Sequence, residues 1–210
     1  MKKLFSLSIL ILLITPLAMA QNGNNLELLY NWSDSTIVGS AAYNNVYNEI
    51  WGFTINNREF AVIGSTSGTH IFDVTDPVNS SQVQFIAGAD IGPAIIHRDY
   101  HDRDGYLYAV SDEGNSTLQI INLKQLPDTA IVVYDSNELI RTSHNIFIDE
   151  SLNKLYACGV RKGDTWGSST SLAIYDIENP TNPIHLTNYE VPGTGYNVHD
   201  MWVKNDTAFL

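Results

Sequence analysis

Three histidines, His97, His144 and His199, each begin a short segment that reads as a β-strand. Side chains alternate along a strand, so His97 should share its face with Asp99 and His101. Imidazole and carboxylate groups are common ligands of Zn²⁺, and carboxylates also suit Ca²⁺. We therefore predict a divalent cation site from five residues. They are His97, Asp99, His101, His144 and His199.

A structural role for the same histidines is the alternative. A histidine that recurs at one place in a repeat can simply hydrogen-bond a loop or a neighbouring sheet, as buried polar groups require. Trp51 opens the corresponding segment of the first repeat, where no histidine stands. The column of first positions is thus Trp51, His97, His144 and His199.

Two acidic segments accompany the second of these strands. Asp102-Arg-Asp-Gly105 resembles part of a calcium loop, but a tight turn with Gly105 at positive φ accounts for it better. Ser111-Asp-Glu-Gly114 follows the next strand and is either a cation ligand or a solvated acidic turn. Neither segment alone specifies a metal.

A longer loop, residues 160–171, carries basic and aromatic side chains between glycines. Arg161, Lys162 and Trp166 are of the types that are enriched in recognition surfaces. In a propeller this loop would lie at the same end as the starts of the innermost strands. We therefore predict ligand binding by Arg161, Lys162 and Trp166, the alternative being a variable surface loop.

These residues are placed by an internal repeat. An alanine recurs within similar apolar segments at positions 61, 109, 157 and 208, which gives spacings of 48, 48 and 51 residues. Short runs rich in Val, Ile, Tyr and Phe alternate with turn clusters, and helical periodicity is almost absent. Each unit accommodates four short strands, which is typical of a propeller blade.

The fold class predicted is therefore all-β, a β-propeller of four-stranded blades, with a β-sandwich as the alternative. The blades are expected at about 47–93, 94–140 and 141–195, with a partial blade at 196–210. Residues 21–46 form an N-terminal segment in which Leu26–Trp32 resembles an outer, ring-closing strand. About three and a half blades are present, so we expect the chain to be a fragment of a longer propeller.

Residues 1–20 have the pattern of a secretory signal. Lys2 and Lys3 precede an apolar run, and Ala18-Met-Ala20 supplies a cleavage site. A retained membrane anchor is the alternative. No other long apolar run follows, so the mature chain should have no transmembrane segment and should lie outside the cell, on its surface or in the periplasm.

Composition narrows the range of partners. The chain carries 23 acidic and 11 basic residues, a net charge of −12. Such acidity repels phosphate backbones, so nucleic acid is excluded as a partner. Cys158 is the only cysteine, which rules out an intramolecular disulfide, and its apolar neighbours predict a buried core position.

The ordered phrases His97-Arg-Asp99, Ser111-Asp-Glu-Gly114, Ser143-His-Asn145 and Val198-His-Asp200 resemble the LVIVD-repeat proteins, more closely the choice-of-anchor B family of secreted bacterial proteins. The likeness extends from about Leu26 to the end. It implies a propeller-like domain at the cell surface or outside the cell, with an anchor or sorting signal in a C-terminal part. It supplies no catalytic residues.

The sequence thus favours a non-enzymatic binding or scaffold module whose partner is a protein, a glycan or a surface component. The alternative is a metal-dependent hydrolase or lyase with a histidine-lined site at the mouth of the central channel. A domain that only spaces other modules is a third hypothesis. No nucleophile elbow, zinc-protease helix or phosphate-binding loop is present.

Overall fold

The computed structural model describes residues 26–163, 169–193, 198–204 and 206–210. The predicted signal peptide, residues 1–20, lies outside the described residues. Within these ranges the regular structure consists of fourteen strands and one short 3₁₀ helix, Pro77–Asn79. The prediction of an all-β chain is therefore confirmed.

Three sheets of four antiparallel strands and one strand pair follow one another along the chain. The first sheet contains β1 (Tyr47–Ile55), β2 (Arg58–Ser65), β3 (Gly68–Asp73) and β4 (Ser81–Ala87). The second contains β5 (Arg98–Arg103), β6 (Tyr106–Ser111), β7 (Leu118–Gln125) and β8 (Thr129–Ser136). The third contains β9 (Asn145–Asp149), β10 (Lys154–Val160), β11 (Thr170–Asp176) and β12 (Ile184–Tyr189). The pair is β13 (Trp202–Lys204) with β14 (Thr207–Phe209).

The repeated alanine marks the same place in every unit, because it pairs with the first strand each time. Its partners are Gly52, Tyr100, Ile146 and Val203, opposite Ala61, Ala109, Ala157 and Ala208 respectively. The repeat predicted from the sequence therefore coincides with four-stranded sheets. Within each complete sheet the strands are joined in chain order.

Two-residue turns connect the first two strands of the first and second sheets. Asp104 and Gly105 both have positive φ, 50° and 76°, between β5 and β6. Asn56 and Asn57 take the same left-handed conformation, with φ of 51° and 60°. Asn, Asp and Gly tolerate this region and suit the tight hairpins of twisted strands. The interpretation of Asp102–Gly105 as a turn is confirmed.

The sheets pack through their first strands: β1 lies beside β5, β5 beside β9, and β9 beside β13. Apolar side chains fill the space between consecutive sheets. Phe60 and Val62 meet Leu107 from the second sheet, while Tyr108 of that sheet meets Ile146 of the third. Since each sheet has two apolar faces, it must pack against a neighbour on either side.

Cys158 belongs to the core between the third sheet and the last strand pair, with Tyr156 and Val203. It is fully buried, and this burial raises the pKa of its thiol to about 12. The thiol is therefore neutral at physiological pH and behaves as a small apolar group. Its predicted core position is confirmed.

Residues 26–32, predicted as an outer strand, form no strand in the structure. Trp32 instead packs its ring against Tyr47, His70 and Phe72 on one face of the first sheet. Leu26 and Leu28 are largely exposed. Among the described residues no helix has the length and apolarity to span a bilayer.

Candidate functional site

The starts of β5, β9 and β13 bring together a group of imidazole and carboxylate side chains, here called the histidine cluster. Its members are His97, His144, His199, Asp112 and Glu113. The three histidines precede the first strands of three consecutive units, and those strands are neighbours. The packing of the sheets, rather than proximity in sequence, therefore assembles the cluster.

Glu113 holds the ring of His97 in place. Its Oε1 lies 2.6 Å from Nδ1 of His97, and its Oε2 accepts the backbone N–H groups of Ile96 and His97, each at 2.9 Å. With Nδ1 against a carboxylate, a proton on Nδ1 completes this hydrogen bond, and Nε2 is the nitrogen on the far side of the ring. The His97 side chain is 42% exposed, so Nε2 is accessible from solvent.

His144 is the centre of the cluster. Its Nδ1 lies 2.8 Å from Oδ2 of Asp112, and its Nε2 lies 3.1 Å from Nε2 of His199. The ring of His97 stands on the other side, with ring centroids 5.9 Å apart. Asp112, His144 and His199 come from the second, third and fourth units, so one row of contacts links three units.

Two of the predicted ligands, Asp99 and His101, do not join this cluster. They line a separate recess of about 290 Å³ between β5 and β9, together with Trp51, Phe147, Glu49 and others. Oδ2 of Asp99 accepts the backbone N–H of Ile146 at 2.6 Å. Burial raises the pKa of Asp99 to about 7, far above the usual range of a carboxyl group. Asp99 thus joins two sheets and is only partly ionised at neutral pH.

His101 is packed between aromatic rings. Its centroid lies 4.5 Å from that of Trp51 and 5.2 Å from that of Phe147. Nδ1 bonds to the backbone oxygen of Asp102 at 3.1 Å. Burial lowers the pKa of the ring. His101 is therefore a neutral, packed side chain, a surrounding that matches the structural role considered for these histidines.

Trp51 does not occupy the place of a fourth histidine. It pairs with Val62 in the middle of β1, and its indole N–H donates to Oδ1 of Asp102 at 2.8 Å. Trp51 stands one residue before Gly52, the partner of the repeated alanine, whereas His97 stands three residues before the corresponding Tyr100. The four residues that the sequence aligned, Trp51, His97, His144 and His199, therefore do not occupy equivalent positions in their sheets.

The predicted recognition loop begins close to the histidine cluster. Arg161 forms a bridge with Thr142, two residues before His144, and its guanidinium reaches the Thr142 hydroxyl at 3.4 Å. Nζ of Lys162 lies 5.8 Å from the centre of the Tyr175 ring. Partial burial lowers the pKa of Lys162. Trp166, the third residue predicted to bind a ligand, lies outside the described residues.

The cluster has the chemistry to hold a cation. His97, Asp112 and Glu113 each offer a ligand atom, and these atoms all lie within 4.8 Å of one another. His144 and His199 add two further nitrogens at 3.1 Å. A carboxylate on the distal nitrogen of a histidine orients the ring and increases its basicity, an arrangement that often surrounds metal ligands.

The segment with Asp112 and Glu113 was interpreted from the sequence as a cation ligand or a solvated acidic turn, and its contacts with the histidines were not predicted. For Asp112, the sequence did contain information that places it next to His97. The tight turn at Asp104 and Gly105 pairs Arg98 with Ser111, and one step beyond that pair His97 faces Asp112. The bond from Asp112 to His144 has no such signal, because it joins two sheets.

In comparisons with known proteins, no protein family matches this chain and no curated protein is significantly similar to it. Its function must therefore be inferred from the chemistry of the described residues.

Proposed function

We propose that this chain has the blades of an exported bacterial β-propeller and acts as a non-enzymatic binding module outside the cytoplasm. The partner, a protein, a glycan or a surface component, docks on the end of the sheets that carries the histidine cluster. The observation that supports this most directly is the bridge between Arg161 and Thr142. It anchors the start of the basic loop two residues from His144.

The propeller itself is supported by two features of the sheets. Consecutive four-stranded sheets are contiguous in sequence, and their first strands stand side by side, as the innermost strands of blades do. Export is supported by the signal-like residues 1–20. The resemblance to choice-of-anchor B proteins adds the expectation of surface attachment.

The polar groups at the end that carries the histidine cluster are better suited to binding than to catalysis. Glu113 is engaged by two backbone amides and one imidazole, and Asp112 by His144, so both carboxylates serve to hold rings. Arg161 and Lys162 supply positive charge beside an otherwise acidic protein. Such a mixed, partly exposed surface suits a polar partner.

A labelled protein, produced as its gene encodes it, would be applied to intact bacterial cells and to a glycan array. We expect saturable binding that falls about tenfold in the double variant Arg161→Ala/Lys162→Ala, as loss of contacts worth about 1.4 kcal/mol would cause. The matched control is Lys124→Ala/Lys154→Ala, two basic residues at the opposite ends of their sheets. Absence of saturable binding, or equal loss in both variants, would refute the proposal.

A metal-dependent hydrolase or lyase is the second candidate. The close approach of His144 and His199, with Asp112 behind His144, favours it. Turnover of ester, phosphoester or glycan substrates that requires added Zn²⁺ and disappears in His144→Ala would support it over the binding module.

A further inference from the structure

We propose that the histidine cluster is a binding site for one divalent transition-metal ion of the Zn²⁺ class, with His144 Nε2 and His199 Nε2 as the primary ligands. His97 is the adjacent third imidazole, and Asp112 and Glu113 orient the rings. This site goes beyond the binding function proposed above and does not depend on it.

The first argument is the spacing of the two nitrogens. Nε2 of His144 and Nε2 of His199 are 3.1 Å apart. With metal–nitrogen bonds of about 2.0–2.1 Å, two nitrogens at this separation subtend an angle of about 98° at a shared ion. That angle lies between octahedral and tetrahedral geometry, so one ion fits both lone pairs without rearrangement of the two rings.

The second argument is the orientation of the rings. Two imidazoles bound to one zinc ion place their ring centroids about 5 Å apart. The centroids of His144 and His199 are separated by 4.4 Å, and those of His97 and His144 by 5.9 Å. The His144–His199 separation is the closer match, and the longer separation places His97 beside this pair, with its own ligand atom grouped with those of Asp112 and Glu113.

The third argument is the protonation pattern set by the carboxylates. Asp112 lies against Nδ1 of His144, and Glu113 lies against Nδ1 of His97. In both rings Nδ1 is taken up by a carboxylate, which leaves Nε2 as the nitrogen turned away from it, and a carboxylate on the distal nitrogen is a common partner of metal-binding histidines. The two carboxylates also supply negative charge close to a dication.

Access and selectivity support a transition metal over calcium. The side chains of His144 and Asp112 are each 29% exposed, so an ion can enter from solvent. Imidazole nitrogens suit Zn²⁺, Cu²⁺ or Ni²⁺, whereas Ca²⁺ takes oxygen ligands. In this cluster Nε2 of His144 and Nε2 of His199 face each other, while Asp112 Oδ2 and both Glu113 oxygens are engaged by hydrogen bonds.

A simple hydrogen bond is the competing account. Nε2–H of His199 would donate to Nε2 of His144, and no ion would be required. The two accounts differ in what happens when metal is added, because only a metal site binds one ion per chain with an affinity that both rings determine.

The test uses the full protein stripped with a chelator and titrated with Zn²⁺ against a chromophoric competitor. We expect one ion per chain. Affinity should fall by more than about 100-fold in His144→Ala and in His199→Ala, and about 10- to 100-fold in Asp112→Asn, as loss of ring-orienting groups does elsewhere. His185→Ala is the matched control, since His185 bonds to Asn188 on β12, outside the cluster.

Co²⁺ provides a second readout, because its visible spectrum reports nitrogen coordination directly. His199 is exposed, so its replacement should leave the fold intact, as circular dichroism can verify. Zn²⁺ binding below one ion per chain in the wild type, or an equal loss in His185→Ala, would overturn the proposal. Stoichiometric metal without any saturable partner would refute only the binding function.

Discussion

The start and the middle of β5 place similar residues in contrasting surroundings. His97 precedes the strand and lies in the partly exposed histidine cluster, beside Glu113. Asp99 and His101 follow within four residues and are buried in the recess against β9. Both regions contain histidine and carboxylate, but only the first leaves nitrogen lone pairs accessible to solvent.

The difference shows that burial, more than residue type, decides what these groups can do. In the recess, burial favours the neutral forms: the pKa of Asp99 is raised and that of His101 is lowered. In the cluster, His97 and His144 each have a carboxylate partner, and the side chains are partly exposed to solvent. The recess therefore contributes to sheet packing, whereas the cluster is available for ligands.

The largest expected effect is on the pH dependence of stability in Asp99→Asn. The folded pKa is about 7 against an ordinary value of 3.8, so folding favours the protonated carboxyl group. Stability from this group is present below pH 3.8 and is lost as pH rises through 7. The asparagine variant should therefore gain up to roughly 4 kcal/mol relative to wild type between pH 4 and 8, measured by urea unfolding.

Asp149→Asn is the control of opposite sign. Hydrogen bonds from Ser151 hold the pKa of Asp149 below its ordinary value, so its contribution is present above pH 3.8 and lost on acidification. The free energy of unfolding of this variant should be lower than that of the wild type at neutral pH, and the difference should disappear in acid. The same pH trend in both variants would contradict the contrast between Asp99, whose pKa is raised by burial, and Asp149, whose pKa is lowered by hydrogen bonds.

Asp99→Ala should cost about 1–3 kcal/mol of unfolding free energy at pH 5, where the wild-type carboxyl group is neutral. The reason is that the N–H of Ile146 loses its acceptor in a buried place. Urea unfolding measures the change. A cost near zero would mean that water replaces the carboxyl group and that the recess is wetter than its burial indicates.

Glu113→Ala removes more hydrogen bonds and yet should cost less, about 1 kcal/mol. Its side chain is 24% exposed, so water can take over the amides of Ile96 and His97. The same unfolding measurement applies. If Glu113→Ala were the more damaging of the two alanine variants, the cluster would be a packing element and not a ligand site.

The smallest effect is spectroscopic and concerns His101. Its ring lies against Trp51, and a protonated imidazole quenches indole fluorescence. Burial lowers the pKa of His101, so the fluorescence change should have its midpoint below pH 6.5 and vanish in His101→Gln. A midpoint at or above 6.5 would show that the ring is solvated, like those of the cluster.

Local features of this fold could be predicted from the sequence, and distant ones could not. The recurrent alanines predicted the pairing of first and second strands, and the turn at Gly105 was recognised from its residue type. Trp51 was assigned to the wrong level, because the number of residues between the start of a unit and the residue opposite its alanine differs from one unit to the next.

The histidine cluster was predictable in part. His97, His144 and His199 were identified as a group, since each opens a unit of the repeat. The separation of Asp99 and His101 from them depends on how β5 leans against β9, which alternation along one strand does not determine. The contact of Asp112 with His144 depends likewise on the stacking of sheets.

The row from Asp112 through His144 to His199 has a mechanical consequence. Each of these residues belongs to a different unit. A tensile load that separates one unit from the next must therefore break a side-chain contact as well as the apolar packing between them. An ion held between His144 and His199 would cross-link the third and fourth units. The force needed to separate these units would then depend on the metal concentration around the protein.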